Sequence, residues 1–391
     1  MGEQAVRWRA GCQDARVADS PFETLSLDEL RTRTSIKWRM YPPDVLPLWV
    51  AEMDAMPAPA VTEVLEDALR RGDVGYPPLD TSYAEALAGV ARRRWGWELD
   101  LAATQTVADV LTGVHHAIAA LSEPGDVVLV PSPVYPPLLD FTADMGRRVV
   151  PVPLTAEGRL DIDAIDAAMP SARVLLLCSP HNPTGTVHTA EELRAVAALA
   201  EQHGVDVVVD EIHALLVPKG TGFTPYLSVT DRGVVVTSAS KAFNLAGLKA
   251  GVIVGGPASR DVVERLPRSL GYGVSHLGAM AHMAAWREGD AWLDAVNAAV
   301  AANAVLLGEL LAERMPGIGY RPPQATYLAW LDCSDLGLGD DPAAVFLERG
   351  RVGLNAGAAF GVGGAGHVRL NLAASRATLT EAVDRMARAV G

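Results

Sequence analysis

Val174-Leu-Leu-Leu-Cys-Ser-Pro-His-Asn-Pro-Thr-Gly185 passes from an unbroken apolar run into a polar turn. A β-run with no polar interruption belongs where helices cover both faces of a sheet, so this segment reads as a buried strand of an α/β protein. Proline on each side of Asn182 holds the following loop extended, and Gly185 permits a sharp turn before a helix capped near Thr189. Taken alone, Asn-Pro-Thr-Gly reads as well as a plain turn as it does a functional loop.

Similar short runs lie on either side, at Val127–Val130, Val149–Val152, Val205–Val209, Val234–Thr237 and Gly251–Val254. They alternate with amphipathic stretches that predict helices over Ala58–Arg71, Tyr83–Trp95, Ala190–His203 and about Trp292 to Arg314, which is the rhythm of an α/β fold. Beyond that the pattern changes. A strand-like Thr326-Tyr-Leu-Ala-Trp-Leu331, a helix near Ala343–Arg349, a strand at Val368–Leu372 and a helix from Leu379 predict a smaller α+β domain. The expected division is a large domain over 50–285 and a small one made of 20–49 and 286–391, with 1–19 a candidate disordered segment.

The chain of 391 residues is 49% hydrophobic and 20% charged, enough apolar material for two compact units. Its formal charge of −14, with no long Lys/Arg run, argues against nucleic acid or an anionic membrane surface as partner and favours a small-molecule ligand. The first twenty residues carry no apolar segment of signal-peptide type, and no stretch of 18 residues is apolar without a break, so a cytoplasmic location is expected. Cys12, Cys178 and Cys333 are far apart, with no CxxC spacing to suggest disulfides or zinc, and no metal is expected. Gly361-Val-Gly-Gly-Ala-Gly366 matches GxGxxG formally, but a strand rather than a helix is predicted after it, which argues against a nicotinamide or flavin site.

Chemistry-bearing residues gather at strand ends, where an open α/β sheet places its ligand crevice. Val205–Val209 runs into Asp210-Glu-Ile-His213; a carboxylate leaving a hydrophobic strand calls for a cation beside it. Val234–Thr237 leads to Ser238-Ala-Ser-Lys241, two hydroxyls and an amine. Thr112-Gly-Val-His-His116 follows a short strand and opens a helix whose first amides suit a phosphate.

In this order, the glycine turn, Asn-Pro-Thr-Gly, the aspartate strand and Ser-x-Ser-Lys resemble the fold-type I pyridoxal-phosphate enzymes of the aspartate aminotransferase superfamily. That resemblance implies a mostly parallel seven-stranded sheet flanked by helices, with pyridoxal 5′-phosphate held by Lys241 as a Schiff base and Asp210 paired with the pyridine nitrogen, which makes the ring an electron sink. It further implies Asn182 on the phenolic oxygen and Tyr135 stacked on the ring, with Ile212 counted among the cofactor contacts. Gly113, Val114, Ser238, Ser240 and Lys249 would hold the phosphate, and Arg369 the substrate carboxylate through its bidentate fork.

Finer segments are similar to the MalY/PatB group of cystathionine β-lyases: Leu46-Pro-Leu-Trp-Val-Ala-Glu-Met-Asp54, Gly75-Tyr76-Pro, Pro133-Val-Tyr-Pro-Pro137, Ser240-Lys-Ala-Phe-Asn-Leu-Ala-Gly-Leu248 and Thr326-Tyr-Leu-Ala-Trp-Leu-Asp332. The likeness implies β-elimination on a cysteine thioether to a thiol, pyruvate and ammonia. Trp49 and Tyr327 would join Arg369 and Asn182 around the substrate, and the chain would form a homodimer in which Tyr76 reaches the neighbouring subunit's phosphate. Two segments depart from the group, Thr186-Val-His188 after the Asn-Pro-Thr-Gly turn and the small residues of Asn355-Ala-Gly-Ala-Ala-Phe-Gly361. An aminotransferase, or a specialised lyase for a bulky cysteine conjugate, remains the alternative, because a lysine base serves elimination and transamination alike. A binding module on an inactive version of the fold is disfavoured by the presence of both Lys241 and Asp210.

Overall fold

The computed structural model describes residues 20–391, so Cys12 and the 1–19 segment lie outside the described residues. In chain order the strands are β1 (Leu46–Pro47), β2 (Thr104–Val107), β3 (Val127–Ser132), β4 (Arg148–Pro153), β5 (Val174–Cys178), β6 (Asp206–Asp210), β7 (Val234–Thr237), β8 (Gly251–Gly255), β9 (Gly319–Tyr320), β10 (Leu328–Asp332), β11 (Val352–Gly353), β12 (Asn355–Ala356) and β13 (His367–Asn371). Seven of them form one sheet in the order β2-β8-β7-β6-β5-β3-β4. Pairing is parallel from β4 through β7, and β8 and β2 add antiparallel at one edge.

The apolar runs are continuous because both sheet faces are covered, and side chains alternate between two separate cores. Leu175, Leu177, Val207, Val209, Val235 and Val252 enter the larger core, whereas Leu176, Val208, Val236 and Ile253 enter the one sealed by the helix Val110–Leu121. Several expectations shift by a residue or more, and two of these bear on the cavity end of the sheet. The strand expected at Val205–Val209 is Asp206–Asp210, because Asp210 itself stays in register with Cys178 and Val236. The helix expected to open with Thr112–His116 begins at Val110, with Asp109 as its cap.

A second sheet, β12-β13-β10-β9, is antiparallel and packs with the helices Pro342–Glu348, Arg376–Val390 and Asp290–Arg314. The helix His276–Glu288 was not foreseen; Gly289 separates it from Asp290–Arg314, and the expected division near residue 285 falls in its last turn. Asp290–Arg314 is long and apolar enough to cross a membrane by length and composition, yet half of its apolar window is buried, with Leu293, Val296, Leu307 and Leu311 in the core. Gly361, Gly363 and Gly366 all have positive φ in a turn that leads straight into β13, and no helix follows.

Candidate active site

The carboxyl ends of β5, β6 and β7 open side by side into a cavity of about 370 Å³. Its wall includes Trp49, Asp109, Tyr135, Asn182, Asp210, Ile212, Ser240, Lys241, Lys249 and Arg369, so most of the sequence-predicted site residues converge there. Asn182 arrives from the loop after β5, Asp210 as the last residue of β6, and Lys241 from the turn after β7.

Asp210 is buried, and its Oδ1 accepts a 2.9 Å bond from the amide of Ile212, but no cation pairs with it among the described residues. Burial pushes its carboxyl up to about 6, against the opposing pull of that amide and of Lys241. Lys241 Nζ donates to the Ala51 carbonyl at 3.2 Å. Burial first, and the charge of Arg369 second, bring its amine down to about 8. Arg369 is buried with no carboxylate partner among the described residues. It donates to Asn182 Oδ1 (2.9 Å), Asn355 Oδ1 (2.6 Å) and the Trp49 carbonyl (3.2 Å), leans on the Phe360 ring at 5.0 Å, and leaves Nε unsatisfied. A guanidinium held this way, its pKa lowered to about 10 by burial, is a ready receptor for an anion.

At the other end of the cavity, Lys249 Nζ lies 2.9 Å from Asp109 Oδ2, and Asp109 caps the helix by accepting the Thr112 amide at 2.8 Å. Gly113 and Val114 are a correction to the sequence reading. Gly113 sits one turn inside the helix with its amide bonded to the Asp109 carbonyl, and neither residue lines the cavity. A Cβ at Gly113 would stand 2.5 Å from Val236 Cγ1, so glycine is there to let the helix lie on the sheet. Val110 and Leu111 are the first-turn residues on the wall, where amides without intrahelical acceptors belong. Ser238 is also corrected. Its hydroxyl donates to the Ala250 carbonyl at 2.7 Å and accepts the Ser240 amide at 3.1 Å, so it shapes the turn, while Ser240 itself faces the cavity.

Tyr327 does not line the cavity either. It is fully buried, with its hydroxyl 3.0 Å from the Ala51 carbonyl. Tyr76 stands away from this chain's cavity and is 83% exposed. Of the two departures, Thr186 and His188 are buried outside the cavity wall, Thr186 bonding to the Gly158 carbonyl at 2.9 Å, whereas Asn355 and Phe360 lie on the wall itself. Sequence reasoning singled out the Asn355–Gly361 segment without giving Asn355 a role, and gave none to His213. His213 lines the cavity with Nδ1 unpartnered, and burial, aided by Lys241 and Arg369, lowers its imidazole to about 3. Its position three residues beyond Asp210, where the strand has just ended, was the available signal.

The aminotransferase class I and II family model matches residues 43–386. A candidate cystathionine beta-lyase of Mycobacterium tuberculosis (strain H37Rv) is 48% identical over 95% of this chain and 98% of its own length. The cystathionine beta-lyase of Corynebacterium glutamicum is 36% identical over 92% and 98%. A crystal structure from Corynebacterium diphtheriae, described as a candidate PLP-dependent beta-cystathionase, superposes with a TM-score of 0.89 at 36% identity, covering 95% of this chain and 99% of that one.

Proposed function

The chain belongs to the aminotransferase class I and II family, and from that premise we propose that it is a pyridoxal-phosphate-dependent carbon–sulfur lyase, cleaving cysteine thioethers to a thiol, pyruvate and ammonia. The observation that carries the pyridoxal-phosphate reading is the grouping, in one cavity, of a buried carboxylate without a cation and a buried guanidinium without an anion among the described residues, with an amine brought down to about 8 between them, and the likeness to cystathionine beta-lyases supports elimination.

The residues fit the cofactor. Asp210 is an anion in need of a cationic ring nitrogen, and Lys241 is the covalent anchor. Ser240, Lys249 and the opening turn at Val110 and Leu111 offer a hydroxyl, a charge and amides for the phosphate, with Asn182 and the Tyr135 ring on the same wall. Bound there, pyridoxal phosphate supplies a cationic ring that stabilises negative charge at the substrate Cα.

The rest falls to the chain. Arg369 takes the substrate carboxylate and fixes which bond at Cα is presented. Lys241, once freed, accepts the Cα proton at Nζ, and lowering its amine to about 8 raises the neutral, proton-accepting fraction to about a tenth at pH 7. Asp210 keeps the opposing cation in place. The thiolate then leaves Cβ with the bonding pair, and water completes the release of pyruvate and ammonia. Asn355 and Phe360, on the wall beside the guanidinium, hold Arg369 for the carboxylate.

Pyruvate released from L-cystathionine without added keto acid is the expected result, abolished by Lys241→Ala. Nitrogen exchange between an amino donor and a keto acid, with no pyruvate from a panel of cysteine thioethers, replaces lyase by aminotransferase.

A homodimer with shared sites belongs to the same proposal. Tyr76, Val74, Leu79 and Tyr272 are large apolar side chains left more than half exposed, and the Tyr76 and Tyr272 rings meet edge to face at 6.3 Å. A patch of this kind favours association.

A further inference from the structure

Trp49–Asp54 belongs to no helix or strand, yet Trp49, Val50 and Ala51 form part of the cavity wall. Its backbone is held by side chains instead. Five successive carbonyls are engaged: Trp49 by Arg369 (3.2 Å), Val50 by Asn371 (2.8 Å), Ala51 by both Tyr327 (3.0 Å) and Lys241 (3.2 Å), Glu52 by Asn371 (2.6 Å) and Lys37 (3.1 Å), and Met53 by Asn244 (3.0 Å). Asn244 also accepts the Met53 amide at 2.8 Å, a two-point clamp. Three residues after Lys241 and at φ 58, it occupies the left-handed conformation that asparagine tolerates better than most residues. At the far end of the strap, Lys37 and Asp54 form a buried ion pair at 2.5 Å.

Resting on the proposed role of Lys241 as base, we infer that the Ala51 carbonyl is the orienting acceptor for the freed Lys241 amine, and that Tyr327 and Asn244 are positioning residues that hold this carbonyl in place. A neutral amine has two N–H bonds and one lone pair. With one N–H committed to Ala51, rotation about the last side-chain bond is restricted and the lone pair is confined to the directions that remain. The Cα–H bond then breaks toward that lone pair and its proton passes to Nζ, while pyridoxal phosphate, held by Asp210 and its neighbours, would supply the sink for the electron pair. Tyr327 supports the carbonyl from the protein interior. Asn244 ties the strap to the same turn that carries Lys241, so amine and acceptor move as one piece. The loss of a few tenths of an ångström of registry is costly in proton transfer, since misplacement by about 1 Å removes roughly 100-fold in rate.

The test is exchange of the Cα proton of L-alanine in D2O, followed by NMR with the cofactor-loaded enzyme. Alanine has no leaving group, so exchange reads proton transfer alone. Tyr327→Phe keeps the ring and removes the hydroxyl; it should slow exchange about 10- to 100-fold while leaving the visible cofactor band and the half-saturating alanine concentration within twofold. Asn244→Gly relieves the backbone requirement and removes the clamp. It should slow exchange likewise and, in the cofactor-stripped chain, speed amide hydrogen exchange of the peptide spanning Trp49–Asp54. If wild type exchanges the proton and Tyr327→Phe matches it within twofold, the inference is wrong while the base assignment stands. An unaltered exchange rate for the strap peptide in Asn244→Gly overturns the clamp. Should wild-type enzyme fail to exchange the proton at all, the assignment of Lys241 as base falls, and the inference falls with it.

Discussion

Asp210 shows how far a single buried charge can be read. Its carboxyl stands at about 6 in the folded chain against 3.8 for the unperturbed group. A raised acid contributes stability that is complete below the unfolded value and lost as pH rises through the folded one. In the cofactor-stripped protein, ionising Asp210 between about pH 4 and pH 7 should therefore cost up to about 3 kcal/mol relative to an Asp210→Asn variant, seen by urea denaturation across that range. Parallel curves for the two proteins would remove burial as the cause. With cofactor bound the sign reverses in function: Asp210→Asn should keep pyridoxal phosphate but lose about 100-fold in kcat, because a neutral amide cannot hold the ring cation. Arg369→Lys acts on the other substrate end. Replacing the fork by a point charge should raise KM by the equivalent of about 1.5–3 kcal/mol with the cofactor spectrum unchanged, and an unaltered KM would sink its role as carboxylate receptor.

Strands and the turns that end them were the legible part of the chain. Val174–Cys178 and Val234–Thr237 were read to the residue, because a strand buried on both faces admits little but apolar side chains, and Asn182, Asp210 and Lys241 stand where those runs stop. The small contributors were less legible. Gly113 carries no side chain to announce its purpose, and a glycine before a helix reads equally as a phosphate loop or as a close contact. Its purpose appears only when Val236 is placed 2.5 Å from the missing Cβ. Gly113→Ala should accordingly cost about 1–3 kcal/mol in folding by overpacking the helix against the sheet, with cofactor affinity in the folded fraction little changed. A large loss of cofactor affinity without a fall in Tm would restore the phosphate role. Tyr327 was similarly misplaced: the segment Thr326–Asp332 marks an aromatic near the site, but periodicity cannot tell a side chain that lines a cavity from one that supports its wall. The helix His276–Glu288 escaped notice because its apolar positions form no clean stripe, as expected of a helix packed on several sides.

At the scale of the whole molecule, the phosphate end of the cavity has Lys249 tied to Asp109, so part of its positive charge is already answered, and Ser240 is the wall hydroxyl there. A dianionic group would be better satisfied with another donor, and Tyr76, with its side chain turned to solvent in the single chain, has a hydroxyl with none of the chain's own cavity near it. In the proposed homodimer that hydroxyl would enter the partner's phosphate end. Complementation tests this directly. Tyr76→Phe leaves a subunit with an intact Lys241 but a defective donor, and Lys241→Ala leaves an intact donor beside a dead site. When the two inactive dimers exchange subunits, each mixed dimer contains one site with a native lysine and a native tyrosine, and random pairing should return about a quarter of wild-type activity. Tyr76→Phe must be strongly impaired alone for the restoration to register, with the defect appearing as weaker cofactor binding rather than as a changed spectrum. If mass measurement shows that mixed dimers have formed and activity stays at the level of the separate variants, each site is complete within its own chain, and the exposed aromatic pair serves association only.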